Sequence, residues 1–203
     1  MANDDSGPGV DFTERLLLML DITPHTALAS PHGAGKTTYA LRQLLPRLQQ
    51  RGFETLYVPV AADSDEVAES IASAFREHAV AHLPEETWLR LAWPNSAPEY
   101  PGDERTRVLF WLNAVSEMPR DQQLAVIFDD AEHIQKMGST AVAALRSALQ
   151  TAYHITTQIF LVSRGELCSR MFENCDEPFY CYCGIYELPM NSDGFLAFEK
   201  ESR

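Results

Sequence analysis

Basic residues are scarce in this chain, which has 16 Lys and Arg against 29 Asp and Glu and a net charge of -13. A protein whose main task is to neutralise nucleic-acid phosphates needs the opposite balance, so nucleic acid is a possible partner but not a favoured one. No run approaches the ~18 consecutive apolar residues of a membrane span, and the acidic N-terminus is unlike a targeting leader. We therefore expect a cytoplasmic protein that does not contact membranes.

Cysteines are also few, and all lie in the last fifth of the chain: Cys168, Cys175, Cys181 and Cys183. Their spacing, C-x6-C-x5-C-x-C, provides neither the paired C-x2-4-C units nor the histidine pair of zinc sites. Cys181 and Cys183 stand two residues apart in a strand-like segment, so both side chains should point to one face. We expect small buried hydrophobic residues rather than metal ligands or disulfides.

The remaining sequence is that of a folded domain, with 45% hydrophobic residues. Strand-like and helix-like segments alternate along it without internal repeats, which predicts an α/β fold. The continuous apolar run LAVIF suits a strand that is covered on both faces, as in a parallel sheet. Strands are expected near residues 26–30, 54–60, 124–128, 157–163 and 180–188.

Helices are expected between these strands. Leucines spaced i, i+3, i+4 and i+7 from Leu41 predict an amphipathic helix, which Pro46 should kink or shorten. Ser64 is expected to cap the next helix, and Asp11 the first one. Further helices are predicted over Glu85–Ala92, Arg105–Glu117, Thr140–Thr151 and Gly165–Phe172.

The predicted domain organisation is a single core with short ends. Residues 1–10 are expected to be a flexible acidic tail, 11–190 the core, and 191–203 a tail or the start of a truncated lid helix. Residues 80–104 form a proline-rich insert. Its aromatic residues, Trp88, Trp93 and Tyr100, belong either to a satellite core or to a contact surface.

The strongest functional signal follows the first predicted strand. The stretch SPHGAGKT fits the phosphate-binding pattern G-x-x-x-x-G-K-[ST] except at its first position, where Ser30 replaces glycine. Its glycines allow backbone N–H groups to turn toward a phosphate, its lysine supplies a cation, and its threonine a hydroxyl for Mg²⁺. A strand-to-helix turn without a ligand is the alternative. The predicted ATP-binding residues are Ser30, Pro31, His32, Gly33, Ala34, Gly35, Lys36, Thr37 and Thr38.

A second motif, LAVIFDDAEHI, supplies carboxylates at the end of another strand. Asp129 is predicted to hold Mg²⁺ with Thr37, and Asp130 to orient and deprotonate the attacking water. Glu132 is an alternative base because its longer side chain reaches further, whereas His133 is expected to pack or to lie on the surface. The two aspartates could also simply cap a helix.

The segments SPHGAGKTT, LAVIFDDAEHI and QIFLVSRGEL resemble, in this order, the P-loop ATPases of the AAA+ and STAND superclass, with their Walker A and Walker B motifs. The chain is most similar to the archaeal-type ATPase family and, as a second choice, to the ExeA/TniB-like ATPases. The resemblance runs from about residue 27 to the C-terminus. It implies a three-layer fold with a five-stranded parallel sheet of order 5-1-4-3-2, and it makes Ser163 the residue that senses the γ-phosphate.

The chain departs from the family pattern near its end. Cys183 stands where the family has an arginine, and the helical lid that follows the core is missing or truncated. Arg164 and Arg170 flank the short helix where related oligomeric ATPases keep a trans-acting arginine, and surface solvation is the alternative role for both.

We therefore expect an ATP-binding protein that is a slow ATPase, or a nucleotide-dependent switch, acting on a protein partner or on a second copy of itself. The predicted catalytic residues are Lys36, Asp130, Glu132 and Ser163. One alternative is a non-hydrolysing P-loop scaffold. Another is a DNA-associated ATPase of the transposition-regulator type, for which Arg42, Arg47 and Arg51 form the only modest basic cluster.

Overall fold

Five parallel strands form one sheet in the computed structural model, which describes residues 12–84, 87, 102–152, 154–190 and 196. The strand order is β2-β3-β4-β1-β5, which is the predicted order 5-1-4-3-2 viewed from the other edge, so the predicted fold class is confirmed. The strands are β1 (His25–Ser30), β2 (Glu54–Pro59), β3 (Leu124–Asp129), β4 (Ile155–Ser163) and β5 (Gly184–Glu187).

Helices cover both faces of this sheet. They are α1 (Phe12–Leu20), α2 (Lys36–Tyr39), α3 (Leu45–Gln50), α4 (Val67–His82), α5 (Glu104–Ser116), α6 (Ser139–Thr151) and α7 (Glu166–Glu173), with a 3-10 helix at Ala131–Met137. Alternate residues of β3 enter opposite cores: Phe128 packs in the core that includes α4 to α7, and Ile127 in the core of α1 to α3. All six residues of β3 are buried, which explains its continuous apolar run.

Pro46 alters the helix that follows the phosphate-binding loop. A π-helical turn, Ala40–Leu44, joins α2 to α3, and the Leu45 N–H donates to the carbonyl of Ala40. Proline has no N–H and its ring crowds the carbonyl four residues earlier, so the wider turn relieves that conflict. The predicted kink at Pro46 is therefore present as a π-helical turn just before it. The wider turn also breaks the 3.6-residue spacing, which leaves Leu41 exposed although it was expected in the buried stripe.

Two further local predictions were wrong. The segment before β5 is a series of turns, not strand: Cys181 has a left-handed φ of 53°, and the Tyr182 N–H donates to the carbonyl of Phe179. Cys181 and Cys183 therefore do not share a strand face, and Cys175 and Cys181 are exposed, whereas Cys168 is buried. The buried ring of Phe179 holds these turns against the core.

The second wrong prediction concerns the start of α4. This helix begins at Val67 rather than after Ser64, because the carbonyl of Asp63 accepts the N–H groups of Glu66 and Val67. The Ser64 hydroxyl donates instead to the carboxylate of Asp65.

Several expectations fall outside the described residues. They are the tail 1–10, the cap at Asp11, the helix over Glu85–Ala92 except Thr87, and the side chains of Trp88, Trp93 and Tyr100. Within 191–203 only Leu196 is described, and it forms an antiparallel bridge with Met190. The domain boundaries stay a prediction. None of the helices described has both the length and the apolar character that a membrane span requires.

Candidate functional site

The predicted site residues meet at the edge of the sheet where the strands end. Ser30 closes β1, Asp129 closes β3 and Ser163 closes β4, and these strands are neighbours in the order β3-β4-β1. Ser30 and Ser163 are register partners, and the Arg164 N–H donates to the carbonyl of Ser30 at 2.9 Å. Ligands of open α/β sheets bind at this edge.

The loop after β1 turns sharply at two glycines. Gly33 and Gly35 have φ values of 75° and 100°, a left-handed backbone that glycine adopts without steric cost. Gly35 caps α2, so the helix begins at Lys36 with its free N–H groups directed into the loop. A residue far along the chain also supports the loop, because the Leu196 N–H donates to the carbonyl of Ala34 at 3.0 Å.

The loop's other predicted residues divide between core and surface. Ser30 and Ala34 are buried, and Ser30 Oγ donates to the carbonyl of Pro31 at 3.3 Å. Ser30 therefore fits in place of the glycine of the motif. Pro31, His32 and Thr38 are exposed at the same edge.

Lys36 and Ser163 are brought together from opposite parts of the chain. The Lys36 side chain is buried, and its Nζ donates to Ser163 Oγ at 2.8 Å. A buried ammonium is rare unless it is paired or reserved for an anion. Ser163, the last residue of β4, therefore holds the Lys36 ammonium group at the edge where the strands end.

Thr37 and Asp129 form the second contact across the site. Thr37 Oγ1 donates to Asp129 Oδ2 at 2.6 Å, and the Asp130 N–H donates to Asp129 Oδ1 at 3.0 Å. The Asp129 residue is only 4% exposed, so its carboxylate is fixed on both oxygens. Because Thr37 gives its proton to Asp129, the lone pairs of its hydroxyl oxygen remain available to a cation.

Tyr57 is a site residue that sequence reasoning missed. Its hydroxyl donates to Asp129 Oδ2 at 2.5 Å. Burial and then the hydrogen bond to Asp129 raise the pKa of Tyr57, so the phenol keeps its proton. Tyr57 lies two residues before Pro59, the register partner of Asp129, and therefore faces the same side of the sheet. No signal for this contact is present in the sequence, because it depends on the register in which β2 pairs with β3.

The two candidate bases occupy different surroundings. Asp130 is half-buried, with a left-handed backbone at φ 51° and ψ 40°, which is costly for a residue other than glycine. Glu132 is buried, and its Oε2 makes no hydrogen bond to any described residue. Burial and then the charge of Glu132 raise the pKa of Cys168 on α7, which places Glu132 near that helix. Neither carboxylate hydrogen-bonds to Lys36 or Thr37 within the described part of the chain, and His133 is half-buried.

The arginines near the site already have partners in this chain. Arg164 pairs with Glu187 of β5, and Arg170 Nε lies 2.6 Å from Glu177 Oε1. Both arginine side chains are more than half exposed. The Arg164–Glu187 pair is exposed on both sides, so it contributes little to stability and Arg164 could exchange its partner at low cost. The Glu177 side chain is only 10% exposed, so Arg170 is held more firmly.

The comparison with solved structures agrees with this architecture. The Walker-type ATPase Paby2304 of Pyrococcus abyssi superposes with a TM-score of 0.53 at 19% identity, over 90% of this chain and 53% of that one. Cdc6p from Pyrobaculum aerophilum gives 0.53 at 13% identity, over 95% of this chain and 49% of that one. This chain has the P-loop NTPase fold. It spans about half of each neighbour's length, and identities this low show the fold alone.

No protein-family model matches the chain, and no curated protein sequence does. The resemblance to the archaeal-type ATPases therefore stands at the level of the P-loop fold, and the finer family stays a prediction.

The hydrogen bond from Tyr57 leads to a first prediction. Tyr57→Phe removes one donor from Asp129 Oδ2, so the carboxylate is held less firmly. A hydrogen bond to a charged group contributes about 1.5–3 kcal/mol, so we expect at least about tenfold more Mg²⁺ to be needed for half-maximal ATP binding. Tyr39→Phe is the matched control, because it removes the same hydroxyl group from a buried tyrosine whose oxygen lies 3.2 Å from Thr13 Oγ1 rather than near Asp129. Equal Mg²⁺ dependence in the two variants would contradict the assignment.

Proposed function

We propose that this protein binds ATP with Mg²⁺ at the loop after β1 and hydrolyses it slowly. The observation that supports this most is the joint placement of Lys36, Thr37 and Asp129. The buried Lys36 and the Thr37 hydroxyl come from the glycine-containing loop, and the buried Asp129 carboxylate comes from a second motif, 92 residues after Thr37. All three lie at one edge of the sheet. A strand-to-helix turn without a ligand would have no need of this arrangement.

The residues present fit a magnesium nucleotide. Loop N–H groups and the start of α2 favour phosphate oxygens, and Lys36 can move its ammonium from Ser163 to the terminal phosphates. Thr37 and Asp129 offer the oxygen ligands that Mg²⁺ prefers, directly or through water. When bound, Mg²⁺ would neutralise charge on the transferred phosphoryl group.

The hydrolytic step needs a base that orients water. Asp130 follows the metal-binding carboxylate and is partly open to solvent, so we assign it this role, with Glu132 as the alternative. Ser163 completes the site by holding Lys36 and, in the proposal, by responding to the γ-phosphate.

The proposed role is that of a nucleotide-dependent switch for a protein partner or for a second copy of the chain. A non-hydrolysing scaffold is a second candidate, supported by the position of Glu132, whose charge acts on Cys168 of α7 and which makes no hydrogen bond to Lys36. A DNA-associated role is less supported, because Arg47 and Arg51 both pair with Glu14 of α1, which neutralises much of the basic cluster.

The direct test is nucleotide titration and turnover on the purified chain. We expect one ATP per chain in calorimetry with Mg²⁺ present, and turnover well below the ordinary ~10 s⁻¹ of enzymes. Failure to bind ATP or ADP at millimolar concentration would overturn the proposal. Tight binding without turnover would select the scaffold instead.

A further prediction concerns dependence on a partner. The described residues cover the phosphate side of the site, so a docking surface that brings in an arginine should accelerate hydrolysis. We expect specific ATPase activity to rise with protein concentration if the partner is a second copy, and Arg164→Ala to reduce that rise. Fast turnover that is independent of concentration and of added partners would contradict this expectation.

A further inference from the structure

A second polar cluster lies at the opposite edge of the sheet from the phosphate-binding loop. Glu54 is the first residue of β2, whose last residue, Pro59, pairs with Asp129. Steps of about 3.3 Å per residue place the two edges roughly 16 Å apart. The other members, His78 and His82, lie near the C-terminal end of α4, which packs on β2. The cluster is therefore separate from the site proposed for ATP.

The geometry brings three ligand atoms together. Residues i and i+4 share one helix face, and the two imidazole centroids are 4.5 Å apart. Glu54 Oε1 lies 3.0 Å from His78 Nε2 and 3.6 Å from His82 Nε2. One ligand atom from each residue lies within 4.8 Å of the others. Tetrahedral Zn²⁺ with bonds of about 2.0–2.1 Å needs ligand atoms roughly 3.3 Å apart, so small side-chain rotations suffice.

Arg120 fixes the orientation of the carboxylate. Its side chain is 2% exposed and donates to Glu54 Oε2 and to the carbonyl of Val115, so Oε1 is the oxygen that faces the histidines. Ligating carboxylates are commonly held in this way by an outer hydrogen bond. Both terminal nitrogens of Arg120 also lie 3.2 Å from His78 Nε2, which identifies Nε2 as the nitrogen with the lone pair.

The second histidine, His82, also presents the lone pair of its Nε2 to the cluster. His82 Nδ1 lies 2.7 Å from the carbonyl of His78, so this nitrogen donates and Nε2 carries the lone pair of the neutral ring. Metal-bound histidines are typically oriented by such a backbone contact. Because the Arg120 guanidinium donates to His78 Nε2, that nitrogen carries a lone pair and the His78 ring is neutral.

The carboxylate supplies the negative charge. The buried Arg120 guanidinium pairs with Glu54 Oε2, which stabilises the ionised carboxylate. Its Oε1 is buried and accepts no hydrogen bond from a described residue. The lone pairs of Glu54 Oε1 and His82 Nε2 thus converge beside His78 Nε2, at which Arg120 now donates. A metal cation that took the place of Arg120 at His78 would be shared by all three atoms.

We propose that Glu54, His78 and His82 form a binding site for a divalent transition-metal ion of the Zn²⁺ class. Two imidazoles and a carboxylate suit Zn²⁺, whereas Mg²⁺ and Ca²⁺ prefer oxygen ligands alone. The His82 side chain is 48% exposed, which gives the ion access from solvent and leaves a position for water. The ion joins the end of α4 to the start of β2.

The affinity should be moderate. The ion replaces Arg120 at His78 Nε2 and adds positive charge beside a buried guanidinium. We therefore expect a Kd of about 1–10 μM, weaker than that of dedicated structural zinc sites. Zn²⁺ in hundredfold excess over Kd should raise the Tm by about 5–10 °C.

The test is calorimetric titration of the metal-free chain with ZnCl₂, together with thermal unfolding. Cys175 and Cys181 are exposed and thiolates bind zinc, so the titration is made in the Cys175→Ser, Cys181→Ser background. We expect one Zn²⁺ per chain, with affinity reduced at least tenfold by His82→Gln and by Glu54→Gln. His82 is half exposed, so its substitution should leave the fold intact.

His154→Gln is the matched control, because the carbonyl of His154 accepts the Leu124 N–H at the same edge of the sheet but its ring is outside the cluster. Its affinity for Zn²⁺ should equal that of the background chain. Binding weaker than about 100 μM in the background, or equal binding by His82→Gln, would overturn the proposal.

Discussion

Lys36→Ala is expected to raise the Kd for ATP at least tenfold and to reduce turnover about a hundredfold. Lys36 is the buried cation of the loop, and Ser163 holds it at the strand ends where terminal phosphates would lie. A hydrogen bond to a charged group contributes about 1.5–3 kcal/mol, which corresponds to roughly 10–150-fold in affinity. Loss of a preorganised donor in the transition state costs a further ~100–1000-fold in rate.

Lys136→Ala provides the matched control. It removes the same charge from one of the three lysines of the chain, at an exposed position where Nζ donates to the carbonyl of Ala62. Isothermal titration and steady-state turnover compare the two variants, with the Tm as a check on folding. If both bind and hydrolyse ATP like the wild type, the loop after β1 is not the nucleotide site.

The order of the strands and the meeting of the motifs could be anticipated from the sequence. Strands β1, β3 and β4 are almost wholly buried, and such strands joined by helices favour a parallel sheet with helices on both faces. Because the strands are parallel, β1 and β3 end at one edge of the sheet, which places Thr37 beside Asp129. The order itself was carried over from the resemblance to P-loop ATPases, not from the residues.

Contacts that depend on strand register, local turns or helix packing could not be predicted from the sequence in this way. Tyr57 reaches Asp129 because β2 and β3 pair in one particular register, which depends on the whole sheet. The apolar neighbours of Cys181 predicted a strand, yet the backbone hydrogen bonds of this segment are made within successive local turns. Glu54 and His78 meet only because α4 packs over β2, a contact that no local pattern encodes.

The neighbouring aspartates should separate metal binding from hydrolysis. Asp129→Asn is expected to abolish the Mg²⁺-dependent gain in ATP affinity, because an amide cannot replace a carboxylate that accepts from Thr37 and Tyr57 on one oxygen and from the Asp130 N–H on the other. Asp130→Asn should leave the Kd within about twofold and reduce turnover about a hundredfold, the scale on which a positioned base contributes.

Glu132→Gln decides between the two candidate bases. Glu132 Oε2 makes no hydrogen bond to a described residue and its charge acts on Cys168, so the isosteric amide should cost little stability. If Asp130 is the base, Glu132→Gln keeps most of the turnover, measured as phosphate release at saturating ATP. If Glu132→Gln instead stops turnover while Asp130→Asn does not, the base assignment is wrong. The left-handed backbone at Asp130 would then serve to aim the residue two positions later.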